Sequence, residues 1–309
     1  MESQKVTNVL ALGELLWDML PNGKMLGGAP ANYCFRLRQL GIPALLVSRI
    51  GKDLLGQELI NELSALNFDL ALLQHDPEKP TGTVDVELTS DGNPSFTIIP
   101  NVAYDNLEWN AELEVAARNA SFVCFGTLAQ RSVQSRTIIH KTLTTATQAT
   151  KFLDINLRRN CYDKDTIRES LELANILKLN QTEVDMVADL LEIGSSHPST
   201  FSETVMNRFN VTTMLITLGE NGVLAIDRSA GSITVPGIPV SVVDTIGSGD
   251  SFSAGFTYKF LSDASLEECC QFGNIIGAMH ATYAGGMPII SSNAVDTFIM
   301  QCESSQAVT

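Results

Sequence analysis

Clusters of lysine and arginine are missing from this sequence. It carries 20 basic and 35 acidic residues among its 309, with a formal net charge of −15 at pH 7. Nucleic acids and anionic membranes are bound mainly through clustered cations, because each phosphate contact needs a positive group nearby. The composition therefore argues against both as partners. An anionic ligand must be held by local groups, such as backbone N–H donors, single cations and Mg²⁺, against an unfavourable overall field.

Metal-binding and targeting patterns are also missing. The six cysteines show no Cys-x-x-Cys spacing and the four histidines are scattered, so we expect neither a zinc site nor a disulfide framework. Only Lys5 precedes the first apolar run, which argues against a signal peptide. Residues 271–295 carry no formal charge but are interrupted by polar residues, paired glycines and a proline, which argues against a membrane span. We expect a soluble protein of the cytoplasm.

Two common nucleotide-binding motifs are absent as well. The sequence contains no Gly-x-x-x-x-Gly-Lys-Ser/Thr loop, and no Gly-x-Gly-x-x-Gly follows its first apolar run. The run Gly247-Ser248-Gly249 has no third glycine at the offset that a dinucleotide site requires. These absences argue against a dinucleotide-dependent oxidoreductase and against a Walker-type phosphate loop.

What the sequence does contain is an alternation of short apolar runs with helical patterns. The predicted strands are 9–12, 44–47, 122–125, 152–155, 176–179 and 214–217, and the predicted helices are 54–66, 137–147, 166–174, 183–191 and 203–209. This alternation predicts an α/β fold with a mainly parallel sheet, helices on both faces, and ligands at the carboxyl ends of the strands. No repeat or linker interrupts it, so we expect one domain over 1–309.

Two segments depart from that alternation. Residues 84–89 alternate polar and apolar side chains, residues 90–94 predict a turn, and residues 95–99 return, which together predict a β-hairpin. A second hairpin is predicted over 15–26. We expect the two, inserted at about 14–26 and 81–103, to form a small sheet that covers the ligand site. An edge hairpin without function is the alternative.

The most informative motif is the run Gly247-Ser248-Gly249-Asp250 at the start of a predicted helix. The glycines allow a tight turn, so that successive N–H groups at the helix start can converge on an anion, with phosphate the obvious candidate. Asp250 lies in the first turn, where the helix dipole favours its ionised form and where it could accept a proton from a hydroxyl. Ordinary helix capping is the alternative.

A second glycine-rich run, Gly-Gly-Ala-Pro-Ala-Asn, occupies residues 27–32 before a helical pattern that stops at Gly41. Residues 27–51 resemble the first signature of the PfkB-type sugar kinases, the ribokinase-like family, and residues 244–250 resemble the second. The resemblance extends from about residue 12 to 286. Cys34 and Ser248 depart from the residues that are usual in the family, but Cys34 is still small and Ser248 contributes its backbone N–H.

The resemblance implies a ribokinase-like, three-layer fold with a small β-sheet lid, and ATP-dependent transfer of a phosphoryl group to a primary hydroxyl. Asp250 would be the base, and the N–H groups of Gly247, Ser248 and Gly249 would stabilise the phosphoryl charge. The sugar would be bound by Asp18, Gly28 and Asn32, and by Asp250 itself. A lone Asp18 or Asn32, without the resemblance, indicates a turn or cap residue.

Nucleotide and metal contacts are also implied. Asn180 and Glu183 match the family's Asn-x-x-Glu motif, with Glu183 near hydrated Mg²⁺, although a helix cap alone explains both residues. ATP would contact Asn180 and the turn that contains Thr217, Gly219 and Gly222, although a simple hairpin connection is the alternative for this turn. Asn274 would contact the adenine, and close helix packing is the alternative for that residue. Asp244 and the carbonyl of Ile246, with carbonyls near 285–286, would bind a monovalent cation such as K⁺.

The choice of sugar depends on Arg158. Residues 154–158 resemble the Asp-x-Asn-x-Arg stretch of fructokinases and 2-keto-3-deoxygluconate kinases. Arg158 could neutralise charge on the transferring phosphoryl group, bind a substrate carboxylate, or simply pair at the surface. We expect fructose, giving fructose 6-phosphate, with 2-keto-3-deoxygluconate as the alternative. A catalytically silent sugar or nucleotide sensor is the alternative from another class. The lid of this family also suggests a homodimer.

Overall fold

Nine strands form the central sheet, and the first strand of the chain lies inside it. The structure, a computed structural model, describes residues 8–21, 23–88 and 94–306. The strands are β1 Val9–Leu12, β2 Leu16–Leu20, β3 Gly23–Gly27, β4 Ala44–Gly51, β5 Leu73–Asp76, β6 Gly82–Leu88, β7 Pro94–Ile98, β8 Phe122–Phe125, β9 Thr150–Asp154, β10 Ile176–Asn180, β11 Thr213–Thr217, β12 Val223–Asp227 and β13 Gly231–Val235.

The central sheet has the order β13-β12-β11-β10-β9-β8-β1-β4-β5. All pairs from β5 to β11 are parallel, and only β12 and β13 add antiparallel pairs at one edge. The six strands predicted from the sequence all belong to this sheet. The expected mainly parallel α/β architecture is therefore confirmed.

Helices cover both faces of the central sheet. They are α1 Ala29–Gln39, α2 Leu54–Ala65, α3 Ala111–Asn119, α4 Val133–Thr145, α5 Lys164–Leu173, α6 Gln181–Leu190, α7 Pro198–Arg208, α8 Ser248–Phe260, α9 Leu266–Ala281 and α10 Ser292–Gln306. Three short 3₁₀ turns occupy Ala103–Asn106, Leu128–Arg131 and Gly219–Asn221. The five predicted helices are present. α2 begins at the predicted residue, and the other four begin two to five residues earlier than their apolar patterns, in part because capping residues such as Asp163 lie outside the pattern.

Successive side chains of each strand point to opposite faces of the central sheet, so the core has two layers. Leu10 and Leu12 of β1 pack with α3 to α7, whereas Val9 and Ala11 pack with α1, α2, α8 and α9. Because both faces are buried, parallel strands are continuously apolar, which is the pattern that identified them. No helix in the described part of the chain is long and apolar enough to cross a bilayer.

The small sheet has the order β3-β2-β6-β7. The pairs β2/β3 and β6/β7 are antiparallel hairpins, and a parallel β2/β6 pair joins them. Both hairpins were predicted from the sequence, although most of the predicted turn, residues 90–93, and Asn22 of the other hairpin lie outside the described residues.

Side chains attach the small sheet to the helices and loops beside it. The indole Nε1 of Trp17 donates to the carbonyl of Leu55 at 3.0 Å, and Lys24 pairs with Glu58 of α2. A Cβ at Gly285 would collide with the methyl group of Met25 on β3. The small sheet therefore contacts both α2 and the loop after α9.

A buried ion pair fixes the chain where β7 returns to the core. Arg131 donates to both carboxylate oxygens of Asp105, at 2.8 and 2.9 Å, to the Tyr104 hydroxyl at 2.9 Å and to the carbonyl of Ile99 at 2.8 Å. The Asp105 side chain is 7% exposed. Its charge therefore depends on this guanidinium.

Replacing Arg131 with methionine should lower the free energy of unfolding by roughly 3–5 kcal/mol, because it leaves the buried Asp105 carboxylate unpaired. Arg168→Met is the matched control: its pair with Asp165 is about half exposed and is worth roughly 0–1 kcal/mol. Urea unfolding of both variants measures the difference. Equal losses would contradict this role of Arg131.

Candidate active site

A cleft of about 420 Å³ separates the small sheet from the carboxyl ends of β9, β10 and β11. Parallel strands end together at this edge, which is where ligands of such folds bind. Eleven of the sixteen site residues predicted from the sequence line the cleft. The five that do not are Ser248, Gly219, Gly222, Asn274 and Asp244.

The loop before α8 forms one wall of the cleft. Gly247 is the N-cap of α8 with φ 79°, a left-handed conformation that favours glycine. A Cβ there would also lie 3.0 Å from the Cα of Gly286, so the close contact requires glycine as well. Among the described residues, no group accepts from the N–H of Gly249 or Asp250. Free N–H groups at a helix start form a site for an anion.

The structure gives Ser248 a different role in this loop from the one expected. Its backbone N–H donates to the carbonyl of Thr245 at 3.2 Å, and its hydroxyl donates to the same oxygen at 2.8 Å. Both donors are thereby used within the turn, which argues against the direct anion contact predicted for Ser248. The residue instead closes the turn that presents Gly249 and Asp250.

Asp250 is joined to the opposite glycine-rich run by one hydrogen bond. The Asn32 amide Nδ2 donates to its carboxylate at 2.8 Å. Burial and the nearby Asp154 carboxylate raise the pKa of Asp250 to about 6. Because the amide nitrogen faces Asp250, the Asn32 Oδ1 faces away, and it is buried without a hydrogen-bond donor in the described structure. A hydroxyl in the cleft could supply that missing donor.

Two further carboxylates line the small-sheet side. Burial raises the pKa of Glu14 to about 7 and that of Asp18 to about 6. Gly28, at φ 111°, has no room for a Cβ because the Glu14 carbonyl lies against it. Asp18, Gly28 and Asn32 therefore share one part of the cleft, as the sequence predicted, and Glu14 joins them.

Lys178 is a residue that the sequence analysis missed. It is buried on β10, where its Nζ donates to both oxygens of Asp154 at 2.9 and 2.8 Å, and it lines the cleft near Gly249. Burial opposes its charge, but the adjoining carboxylate outweighs this and raises the pKa of Lys178. Ser253 donates to the same Asp154 at 2.8 Å. A lysine inside the apolar run Ile-Leu-Lys-Leu was the signal that could have found it.

Comparison with known proteins identifies the family of the chain. Residues 22–293 match the pfkB family carbohydrate kinases. The chain belongs to this family. A fructokinase of Klebsiella pneumoniae is 30% identical over 298 residues, which cover 90% of this chain and 94% of that protein, and an Escherichia coli fructokinase is 27% identical over the same shares.

Solved structures support the fold. A fructokinase from Xylella fastidiosa with bound ATP has a TM-score of 0.85, 21% identity, and coverage of 97% of this chain and 99% of that one. A fructokinase from Vibrio cholerae O395, in a form bound to fructose, ADP and potassium ion, has a TM-score of 0.82 at 21% identity, covering 96% and 99%. The protein is thus a pfkB sugar kinase, a phosphotransferase with a hydroxyl acceptor.

In this pfkB kinase, Asn180 and Glu183 form a capping box at the start of α6. Asn180 Oδ1 accepts from the Glu183 N–H at 2.9 Å, and Glu183 Oε2 accepts from the Asn180 N–H at 2.8 Å. The other Glu183 oxygen accepts from the Leu157 N–H at 2.8 Å. Burial raises the pKa of Glu183. The capping alternative is therefore present in the structure.

The donor set at this edge fits Mg²⁺ held through water. No group of three or more His, Cys, Asp or Glu side chains in the described ranges could hold a metal ion by itself. Mg²⁺ bound to phosphates keeps several waters and needs only one or two carboxylates. Each Glu183 oxygen accepts one N–H bond and so has a further lone pair, and Glu183 lines the cleft, so it could accept from such a water.

Arg158 and Thr217 both line the cleft, whereas the two glycines of the predicted nucleotide turn do not. Arg158 is exposed and forms no ion pair with another described residue, and Arg159 does not line the cleft. Gly219 and Gly222 belong to the turn into β12.

Asn274 lies on α9, where its amide donates to the carbonyls of Val235 and Pro236, at 3.3 and 2.9 Å. These bonds show the packing role that was the alternative for this residue. Its contact with adenine stays a prediction.

Replacing Asp250 with asparagine should raise stability at pH 8 by on the order of 1–2 kcal/mol. The folded-state pKa of about 6 exceeds the ordinary 3.8, so the folded protein binds the proton more tightly. The charged carboxylate therefore costs stability above pH 6 and costs nothing below about pH 4. Urea unfolding at the two pH values measures the gain, which should vanish in acid. No gain at pH 8 would contradict the burial of this charge.

Proposed function

We propose that this chain transfers the γ-phosphoryl group of ATP to the primary hydroxyl of D-fructose, giving fructose 6-phosphate and ADP. The observation that carries the proposal is the arrangement around Asp250. A carboxylate of raised pKa lies at a helix start where the Gly249 and Asp250 N–H groups have no acceptor among the described residues, and the adjacent Asn32 Oδ1 has no donor among them. The Asp250 carboxylate can accept a proton, the N–H groups can bind a phosphoryl oxygen, and the Asn32 Oδ1 can accept a hydrogen bond from a sugar hydroxyl.

The reaction follows from these positions. Asp250 accepts the proton of the hydroxyl as its oxygen attacks the γ-phosphorus, and the bond from that phosphorus to the bridging oxygen of ADP breaks. The N–H groups of Gly249 and Asp250 stabilise the phosphoryl oxygens, and Lys178 adds a buried positive charge beside them. Mg²⁺ would supply positive charge to the phosphates of ATP, and Glu183, which lines the cleft, would hold it through a water.

The sugar occupies the part of the cleft between the small sheet and α1. Asp18 accepts hydrogen bonds from sugar hydroxyls, since an ionised carboxylate offers several lone pairs and no donor. Leu16, Val84 and Ile98 of the small sheet line the same part of the cleft, so the sheet acts as a lid that keeps water from the reacting oxygen. Kinship with fructokinases over most of the chain favours fructose among the sugars.

Arg158 favours the second candidate, 2-keto-3-deoxygluconate. Within the described residues Arg158 forms no ion pair, and it is exposed at the cleft. Burial raises the pKa values of Glu14, Asp18 and Asp250, and the charge of Arg158 opposes part of that rise. A substrate carboxylate could take a bidentate pair with it. In the fructose reaction, the same group neutralises charge on the transferring phosphoryl group.

Release of ADP from Mg-ATP with fructose, 2-keto-3-deoxygluconate, ribose or adenosine tests the proposal. Turnover should be highest with fructose, and Asp250→Asn should lower kcat by about 10²–10⁴-fold with little change in the sugar KM, because the base acts in the transition state. Wild-type kcat/KM should rise as the pH passes through about 6, where Asp250 of the free protein ionises. Highest turnover with the keto-acid would reassign Arg158. No turnover with any acceptor would favour a sensor.

Asp18→Ala should raise the sugar KM by at least about tenfold and change kcat less, because a lost charged hydrogen bond costs roughly 1.5–3 kcal/mol. Asp85→Ala is the matched control, since Asp85 is exposed on neighbouring β6, one residue after the cleft-lining Val84. Steady-state kinetics with varied fructose measure both variants. An unchanged sugar KM in Asp18→Ala would move the sugar site elsewhere.

A further inference from the structure

Two buried basic side chains lie behind the anion-binding loop and take no direct part in the proposed reaction. Arg36 of α1 is 1% exposed and His280 of α9 is 0% exposed. Within the described ranges, neither forms an ion pair with a carboxylate. A buried charge without a counter-ion is costly. The buried charge of Arg36 therefore needs a structural or functional explanation.

Among the described residues, every hydrogen-bond partner of Arg36 is a neutral acceptor. Its Nε donates to the Ser251 hydroxyl at 3.2 Å, and its Nη2 reaches His280 Nδ1 at 3.1 Å and the Pro288 carbonyl at 3.5 Å. Its Nη1 donates to the Gln39 side chain. Burial lowers the pKa of Arg36 to about 10, so the guanidinium is still charged at neutral pH. This positive charge is directed at Ser251 of α8 and at His280.

The surroundings of His280 define its tautomer. Its Nε2 lies 2.7 Å from the carbonyl of Ile246 and 3.0 Å from that of Gly285. Carbonyls only accept, so Nε2 carries the hydrogen. Nδ1 faces a guanidinium, which only donates, and therefore presents its lone pair. Ser251 Oγ, 2.6 Å from Nδ1, accepts from Arg36 and donates to the ring. Burial and the Arg36 charge lower the pKa of His280, which keeps the ring neutral.

These contacts use the groups that the sequence analysis assigned to a monovalent cation. The Ile246 and Gly285 carbonyls accept from His280. The carboxylate of Asp244 accepts from the Ile246 N–H at 3.0 Å and from the Gly285 N–H at 2.9 Å. Asp244 and the carbonyls of Ile246 and Gly285 thus each accept from an N–H of the chain. The His280 Nε2–H lies within 3.0 Å of both carbonyls, which is the position that a cation shared by them would need. The residues present therefore do not fit a bound cation there.

The same contacts orient the anion-binding loop. A Cβ at Gly247 would lie 3.0 Å from His280 Cε1, so the ring packs directly beneath that residue. The peptide between Ile246 and Gly247 is planar and trans. Holding its carbonyl toward His280 therefore turns its N–H to the opposite side of the peptide. Arg36 lies on the far side of the ring, so its charge lies behind the loop that must bind a phosphoryl group.

We propose that Arg36 and His280 together replace a bound monovalent cation in this kinase. His280 positions the 246 and 285 carbonyls, as a cation would, and Arg36 supplies the fixed positive charge. Phosphoryl transfer by this chain then does not require K⁺. The inference concerns positioning residues and, in its kinetic part, rests on the proposed function.

The test compares KCl with tetramethylammonium chloride at equal ionic strength. For the wild-type protein, kcat with fructose and Mg-ATP should agree within about twofold between the salts, because no cation is recruited. His280→Ala removes the N–H donor and should lose at least about tenfold in tetramethylammonium, with K⁺ restoring activity in the vacated space. His280→Gln, which keeps an N–H donor, should stay insensitive to K⁺. His140→Ala, on α4 outside the cleft lining, is the control.

Melting temperatures in the two salts test the inference without turnover. A ligand that binds the native state raises the melting temperature. The wild-type protein should melt at the same temperature in both salts, and His280→Ala should be stabilised by K⁺ alone. A K⁺-specific rise in wild-type melting temperature, nucleotide affinity or kcat would overturn the inference. If no acceptor is phosphorylated in either salt, the proposed function fails and the melting temperatures still decide this point. If His280→Ala does not fold, the wild-type comparison decides it.

Discussion

The hydrogen bond between Asn32 and Asp250 joins residues that lie 218 positions apart in the chain. It forms because α1 and α8 pack on the same face of the central sheet and begin at the same edge. Residues from the first hairpin and from the last third of the chain meet only through this arrangement. The cleft, the free N–H groups of α8 and the contacts of the small sheet all depend on the two helices starting side by side.

Charge is the second constraint. The chain has a net charge of −15, and its cleft contains Glu14, Asp18, Asp154 and Asp250. Such a site would repel a nucleotide if it relied on surface potential. Apart from Arg158, which is exposed at the cleft, the positive groups are buried and fixed: Lys178 beneath the loop, Arg36 behind it and the N–H groups of α8 at its end. Fixed groups need no reorganisation when charge develops, which is the condition under which a few of them suffice.

Sequence patterns were enough to predict six of the nine central strands, both hairpins and the approximate position of the cleft. Each of these depends on local rules, namely apolar runs, period-two alternation and glycine-rich helix starts. Asp250 and Asn32 lie in the first turns of α8 and α1, which begin at one edge of the sheet, and Asp18 lies in the middle of β2, in the small sheet that faces that edge. The roles of these residues in catalysis remain predictions.

Contacts between distant elements explain what the sequence did not reveal. Lys178 of β10 pairs with Asp154 of β9, and His280 of α9 donates to the carbonyl of Ile246 in the loop before α8. Neither contact produces a pattern within one segment of the sequence. Ser248 was misjudged for a different reason. Its turn with Thr245 is a local contact, but it depends on φ and ψ angles that the residue types alone do not determine. Four of the five predicted helix starts lie two to five residues too late, whereas that of α2 is correct; capping side chains precede the apolar pattern and escape it.

The indole of Trp17 has a consequence for observing the protein in solution. The chain has two tryptophans. Trp17 is 3% exposed in the small sheet, with the Lys24 ammonium 4.8 Å from its ring centre, whereas Trp109 lies outside the cleft lining beneath Lys141. The emission of Trp17 therefore reports on the environment of the small sheet, and that of Trp109 on a different part of the core. With Trp109 changed to phenylalanine, intrinsic fluorescence becomes a single-site optical signal for the sheet over the cleft.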